Sequence, residues 1–130
     1  YTTYLGLGKW HEAIQGWKTG LQKNLNNQPG YNNLSLQREA NYYIALSLSK
    51  LNKILDAEKY LLRSEEITKI IDEDDTAFGV FTYLLLGMLN DVKGNRDLAK
   101  MHYDKVLSMK NFKNSRAEAE RLKKSGYKIN

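Results

Sequence analysis

Residues 94–107 read GNRDLAKMHYDKVL, and two earlier stretches follow the same pattern: GKWHEAIQGWKTGL at 8–21 and NKILDAEKYLLRSE at 52–65. Each stretch begins with Gly or Asn, has Ala five residues later, and has Leu or an aromatic residue four residues after that Ala. The alanine of the pattern stands at Ala13, Ala57 and Ala99. The period is therefore 44 residues and then 42 residues. A repeat of this length predicts stacked pairs of helices, which offer a contact surface and no enclosed catalytic pocket.

Apolar residues recur at spacings of three and four along most of the chain, which predicts amphipathic helices. No segment alternates polar and apolar residues with a period of two, so we expect almost no β-strand. Short turns between paired helices imply antiparallel hairpins. The sequence therefore predicts an all-α fold with one domain. We expect this domain to cover 1–130. It contains repeat units at about 1–30, 34–71 and 75–110 and a capping helix at 115–124.

Local sequence suggests where some of these helices begin and end. Residues before Gly8 are expected to end one helix, and Gly8 is expected to separate it from the next. Residues 26–33 are rich in Asn and Gly and hold the only Pro, which predicts a loop. Ser115 and Glu118 match a capping box, in which Ser bonds forward to a backbone amide and Glu bonds back.

Composition excludes several classes of site. The chain has 130 residues, a net charge of +5 and no Cys, so disulfides, thiolate metal sites and a Cys nucleophile are excluded. The sequence has no run of about 18 apolar residues, so it does not predict a membrane span. From Lys105 onward there are eight Lys or Arg and two acidic residues, an excess that would attract an acidic surface or a phosphate backbone. Basic residues also favour helix C-termini and the outer face of a terminal helix, and we prefer that structural interpretation.

Motifs for catalysis or cofactor binding are incomplete. His11 and Glu12 begin a zinc-protease helix motif, but the second His that the motif needs is replaced by Gln15. Gly6 and Gly8 lack the preceding strand and the third glycine of a dinucleotide-binding loop. We therefore expect a protein that is not an enzyme, with no catalytic residues, no metal site and no cofactor.

The repeats resemble tetratricopeptide (TPR) repeats, a family that places small residues where two helices cross. The third unit matches best, with Tyr83, Leu86, Gly87, Gly94, Ala99, Tyr103 and Val106. The second unit has Asn41, Ile44, Ala45, Leu48, Ala57, Leu61 and Ser64, and the first has Tyr1, Tyr4, Gly8, Ala13, Trp17 and Gly20. Asn41 and Asn90 depart from the bulky residues of the family pattern, and the period exceeds the family's 34 residues. The resemblance implies a right-handed superhelical solenoid, with related helical repeats as an alternative.

In stacked helix pairs, the first helix of each pair lines a concave face, where the side chains out of phase with the core point. These are Glu39, Tyr42, Leu46, Ser49 and Lys50 in the second unit, and Phe81, Leu84, Met88 and Asp91 in the third. Phe81, Leu84 and Met88 form one apolar stripe, and an exposed stripe of this kind usually marks a contact. We therefore expect a protein or peptide partner, either an amphipathic helix or an extended peptide, in this groove.

Two other functions are open at this point. The chain would also suit a structural role as the C-terminal part of a larger repeat protein or assembly, in which other segments cover the apolar stripe. Binding of nucleic acid or an acidic surface through the basic C-terminal end is less favoured. Some TPR proteins use Lys and Asn at concave positions to hold acidic chaperone tails. The matching positions here are Tyr42 and Leu46, so the resemblance does not imply that function.

Overall fold

The computed structural model describes residues 3–25, 34–71 and 77–127. These residues form six α-helices and no β-strand: α1 (Thr3–Leu25), α2 (Leu34–Lys50), α3 (Ile54–Ile70), α4 (Ala77–Val92), α5 (Arg96–Leu107) and α6 (Ser115–Ser125). The predicted all-α fold is confirmed for this part of the chain. The loop predicted at 26–33 lies outside the described residues, as do Tyr1 and the C-terminal residues after Tyr127.

The helices fall into two compact units, residues 1–71 and residues 72–130. In the first unit, α2 packs against both α1 and α3. In the second, α5 packs against α4 and α6, and α4 also contacts α6. Helices that are neighbours in sequence are thus neighbours in space within each unit. The single domain of three repeats stays a prediction.

Helix α1 runs without a break through the first predicted boundary. Its backbone is helical from Thr3 to Leu25, so the expected turn at Gly8 is wrong. A glycine inside a helix costs only about 1 kcal/mol relative to alanine. Packing on α2 opposes that cost, since Ile14 is buried and the Trp17 ring stacks on Tyr43 with centroids 4.9 Å apart.

The α2–α3 and α4–α5 turns share one geometry. Asn52 and Gly94 both adopt the left-handed region, with φ of 61° and 86°. In each turn this residue's amide donates to the carbonyl three residues earlier, and the next amide donates to the carbonyl five residues before it, at 2.8–3.1 Å. This pair of bonds is the Schellman motif that ends helices. Because Asn52 and Gly94 are 42 residues apart, the backbone repeats here with the period found in the sequence.

Two of the three pattern alanines have matching surroundings. Ala57 and Ala99 are each 0% exposed, and each amide donates 2.9 Å to the carbonyl of the residue preceding its helix, Lys53 or Asn95. Ala13 is half-buried in the middle of α1. The surroundings repeat at Ala57 and Ala99 but not at Ala13, because no helix boundary precedes Ala13.

The cores contain the small residues that the sequence predicts at helix crossings. In the first unit, Ala45 and Ile44 of α2 are buried, as are Ala57 and Leu61 of α3. Alanine at a crossing lets two helix backbones approach while larger neighbours fill the space beside it. The second unit buries a longer set across its three helices: Val80, Tyr83, Leu86, Leu89, Ala99, Tyr103, Val106, Ala119 and Leu122.

Helix α6 begins differently from the predicted capping box. The Ser115 hydroxyl accepts a hydrogen bond from the Phe112 amide at 3.0 Å, behind the helix. The Asn111 side-chain oxygen instead accepts from the Arg116 amide at 3.1 Å, and Glu118 pairs with Arg121. The capping box is therefore wrong, although the predicted helix is confirmed and buries Ala119 and Leu122.

Candidate interaction surface

The predicted partner-binding residues of α2 share the side of the helix opposite its buried face. Glu39, Tyr42, Leu46 and Ser49 are half-buried and Lys50 is exposed. Their spacing of three and four places the first four in one row, while Ile44 and Leu48 on the other side are buried. This row mixes a carboxylate, an aromatic ring and an aliphatic side chain.

The row on α4 is more apolar. Phe81, Leu84 and Met88 are half-buried. Leu85, four residues after Phe81 on the same side, is buried, as is Leu86 on the core side. From Phe81 to Met88 the row covers about 10 Å of helix, at 1.5 Å per residue. The structure thus keeps the three predicted apolar side chains together on one partly accessible face.

The two rows occupy equivalent places in the two hairpins. Each α4 position lies 42 residues after its α2 counterpart, the period shared by the turns that follow. The matched pairs are Glu39 with Phe81, Tyr42 with Leu84, Leu46 with Met88, and Ser49 with Asp91. The chemistry at these positions differs, so each unit presents its own surface.

Tyr42 lies beside other aromatic residues of the first unit. Its ring meets Tyr43 edge-on, with centroids 5.4 Å apart, and Tyr43 in turn stacks on Trp17. Burial, with a smaller contribution from Tyr43, raises the pKa of the Tyr42 phenol well above its usual range. The hydroxyl is therefore neutral at physiological pH and able to donate or accept a hydrogen bond.

Ser49 uses its hydroxyl within α2. Its Oγ donates 2.6 Å to the Leu46 carbonyl, one turn back along the helix. Such a bond offers the hydroxyl a partner close to its own backbone. Of the polar side chains in this row, Glu39 and Lys50 therefore provide the charge at the edges.

The Asp91 side chain is buried and bonded inside the second unit. It is 4% exposed, and both carboxylate oxygens accept from Arg96 Nη1 at 2.9 Å. One oxygen also accepts from the Tyr103 hydroxyl at 2.6 Å and from the Tyr127 amide at 3.0 Å. The expectation that this side chain points into a groove is corrected, because these three donors hold it inside the second unit.

Arg96 extends this network to the end of α6. Its Nη2 donates to the Leu122 carbonyl at 3.0 Å and to the Lys123 carbonyl. A guanidinium at a helix C-terminus hydrogen-bonds to carbonyls of the last turn and complements the negative end of the dipole. Asp91, Arg96 and Tyr103 thus join α4, α5 and α6.

The Tyr103 phenol is strongly held in its neutral form. Burial is the main cause, and the hydrogen bond to Asp91 and its negative charge act in the same direction. Together they raise the pKa of Tyr103 far above its ordinary value. The hydroxyl therefore remains a donor to Asp91 throughout the physiological range.

Several basic side chains near the C-terminal end make contacts inside the second unit. Lys123 pairs with Asp104 at 2.7 Å, and Arg121 pairs with Glu118. Arg116 Nε donates 2.8 Å to the Met109 carbonyl. Lys105 lies 5.5 Å from the centroid of the Tyr83 ring. These contacts give the positive charge of this end a role within the fold.

Across residues 3–25, 34–71 and 77–127, no three His, Cys, Asp or Glu side chains are grouped to hold a metal ion. Within the same ranges, no helix combines the length and hydrophobicity required to cross a lipid bilayer.

One accessible surface was missed by the sequence reasoning. Leu55, Leu62 and Ile70 of α3 are 68%, 48% and 58% exposed. Their spacing of seven and eight residues, out of phase with buried Ala57 and Leu61, was the available signal. The repeat pattern predicts a contact surface on the first helix of each pair, whereas this face belongs to the second helix.

The chain matches no family model, no curated protein and no solved structure.

Proposed function

We propose that the chain is a non-enzymatic, TPR-like helical-repeat scaffold that binds a protein partner through the outward rows of α2 and α4. In this proposal the hairpins belong to a right-handed solenoid, and the rows line its concave face. The repeated Schellman turns at Asn52 and Gly94 support a repeat architecture. The matched burial of Ala57 and Ala99 supports it as well.

The observation that carries the function is the apolar row on α4. Phe81, Leu84 and Met88 remain partly accessible while the opposite side of the helix is fully used in the core. Apolar side chains at i, i+3 and i+7 match the anchor spacing of an amphipathic helix. We therefore propose that the partner presents such a helix, with Met88 supplying an adaptable surface.

The test replaces two side chains of the row with carboxylates. Peptides selected against the full chain from a random display library serve as probes, and their affinity is measured by fluorescence polarisation. Leu84→Asp with Met88→Asp is expected to weaken binding at least about tenfold, because burying a carboxylate without a partner is costly. Circular dichroism and a thermal melt establish that the variant is folded.

A control places the same charges on an exposed apolar pair outside the row. Leu98 and Met101 on α5 are 41% and 56% exposed, and three residues apart. Leu98→Asp with Met101→Asp is expected to leave affinity unchanged. Equal binding by the wild-type chain and a folded Leu84→Asp, Met88→Asp variant would falsify the proposed role of the α4 row.

A further inference from the structure

Helix α3 carries an apolar stripe on the side opposite its core contacts. Leu55, Leu62 and Ile70 are 68%, 48% and 58% exposed, whereas Ala57 and Leu61 are 0% exposed. Spacings of seven and eight residues correspond to about two helical turns each, so the three side chains form one line. Isolated exposed leucines are common, but an aligned set on a helix is the pattern of a helix–helix contact.

Two opposite charges lie in the same line. Lys59 and Glu66 are exposed and stand between the apolar residues. Glu66 also pairs with Arg63 within the helix, at an exposed position where such a pair contributes little to stability. The line therefore reads apolar, positive, apolar, negative, apolar along α3.

This order is complementary to itself when reversed. The midpoint of the line falls between Leu62 and Arg63. Lys59 and Glu66 lie at equal distances on the two sides of this midpoint, and so do the apolar residues at the two ends of the line. A surface that pairs with its own reverse is what a two-fold symmetric contact requires.

We propose that this face of α3 binds the same face of a second copy of the chain, with the two helices antiparallel. Leu55 then packs on Ile70 of the second copy, and Lys59 faces Glu66 of the second copy. The two Leu62 side chains meet near the two-fold axis. The charge order selects the antiparallel arrangement, because a parallel pair in register would place like charges opposite each other.

The dimer is weak because its apolar part is small. Three apolar side chains from each copy bury much less than the area of a standard stable interface. We expect dissociation constants from micromolar to millimolar, with each charge contact contributing modestly. Self-association is therefore measured by sedimentation equilibrium of the full chain across this concentration range.

Charge-reversal variants distinguish the proposed dimer from nonspecific self-association. Lys59→Glu alone and Glu66→Lys alone each place like charges opposite each other twice in the dimer, and each is expected to weaken self-association about tenfold or more. The double variant, Lys59→Glu with Glu66→Lys, restores opposite charges and is expected to recover it. An equimolar mixture of the two single variants is expected to form a heterodimer for the same reason.

Leu62→Asp tests the apolar centre, since two carboxylates would meet at the axis. It is expected to abolish the dimer, while Met101→Asp on α5 leaves it intact. Thermal melts establish that each variant is folded. A chain that stays monomeric at millimolar concentration overturns the proposal and leaves the face to a different partner. The proposal is also overturned if the single charge reversals leave self-association unchanged. It is overturned as well if neither the double variant nor the mixture recovers self-association.

Discussion

The ring of Tyr103 lies directly against the backbone of Gly87. A Cβ atom built on Gly87 would stand 2.4 Å from Tyr103 Cε1 and 2.7 Å from Cδ1, closer than atoms in contact are found. With the Tyr103 ring in this position, residue 87 of α4 has room only for a glycine. In the first unit the positions 42 residues earlier hold Ala45 and Leu61. A larger residue on one helix is thus matched by a smaller one on the other.

The close contact predicts the effect of a single methyl group. Gly87→Ala is expected to lower the free energy of unfolding by about 1 to 3 kcal/mol, because the Tyr103 ring must move in a packed core. Gly16→Ala in α1 is the control: a Cβ there has nothing within 4 Å. It is expected to be stabilising by up to about 1 kcal/mol through helix propensity. Urea denaturation measures both, and equal effects would contradict the close packing.

A double-mutant cycle tests whether the clash is with Tyr103. In a Tyr103→Leu background the methyl group added by Gly87→Ala would face a leucine, as Ala45 and Leu61 are paired in the first unit. Gly87→Ala should then cost at least about 1 kcal/mol less than in the wild-type chain, which is a coupling of the size found for contacting residues. Additive costs would mean that the methyl group meets another obstacle.

The two matching turns predict matching responses to alanine. Asn52→Ala and Gly94→Ala are each expected to cost about 1 kcal/mol, because both positions require a left-handed backbone that alanine disfavours. Asn52→Gly should change stability by less than about 0.5 kcal/mol, since glycine removes the strain but has more freedom in the unfolded chain. Chemical denaturation followed by circular dichroism gives the three values. A large loss for Asn52→Gly would show that the asparagine side chain has another role.

The network around Asp91 predicts a larger loss when its charge is removed. Asp91→Asn keeps the shape but leaves Arg96 without its counter-ion, and an uncompensated, partly buried charge is expected to cost about 2 to 4 kcal/mol. Asp104→Asn is the control, because the Asp104–Lys123 pair is about half exposed on both sides and should contribute less than about 1 kcal/mol. The two variants are compared by thermal melts at one pH and one salt concentration. Similar small losses would place Asp91 outside the essential packing of the second unit.

The raised pKa of Tyr103 predicts that the folded chain loses stability at high pH. Its pKa is raised in the folded chain, so above the ordinary tyrosine pKa near 10 the unfolded chain loses its phenolic proton while the folded chain keeps it. The free energy of unfolding should then fall as pH rises above about 10, by up to about 1.4 kcal/mol per pH unit for this group. Tyr103→Phe removes this contribution and should flatten the fall, although it lowers stability at neutral pH. Parallel pH profiles for the two chains, measured by denaturation, would contradict the assignment.

The buried alanines predict where a large charged side chain is rejected. Ala57→Arg and Ala99→Arg are expected to cost several kcal/mol, about the size of the largest single-site effects, through overpacking and burial of charge. Ala13→Arg should cost much less, because Ala13 is half-buried and an arginine can extend to solvent. Thermal melts that rank the three variants equally would contradict the difference in their surroundings.

Much of the fold follows from local sequence, and the exceptions have physical causes. Ala57 and Ala99 were recognisable because a helix crossing requires a small residue at a fixed distance from the preceding turn. The turn predicted at Gly8 is wrong because an isolated glycine lowers helix stability only slightly, and tertiary packing can hold the helix. The capping box predicted at Ser115 is wrong because its hydroxyl accepts from the Phe112 amide, three residues earlier. The path of the chain before the helix therefore determines the partner of Ser115.

The candidate surface was predictable only as a row of positions. Helical periodicity placed Phe81, Leu84 and Met88 together, which the structure retains. The same periodicity placed Asp91 in that row, because nothing local shows that donors from Arg96 and Tyr127 reach it. A carboxylate buried by long-range partners is visible only once α4, α5 and α6 are brought together.

The amide of Tyr127 completes the hydrogen bonding of Asp91, and this has a consequence for synthesis in the cell. A growing chain that has emerged only as far as α5 holds the carboxylate and two of its donors, but lacks the third and the α6 carbonyls that Arg96 binds. The hydrogen bonds of Asp91 can therefore be completed only after Tyr127 has left the ribosome. Until then the Asp91–Arg96 pair lacks part of its hydrogen bonding, although α1, α2 and α3 have already been translated.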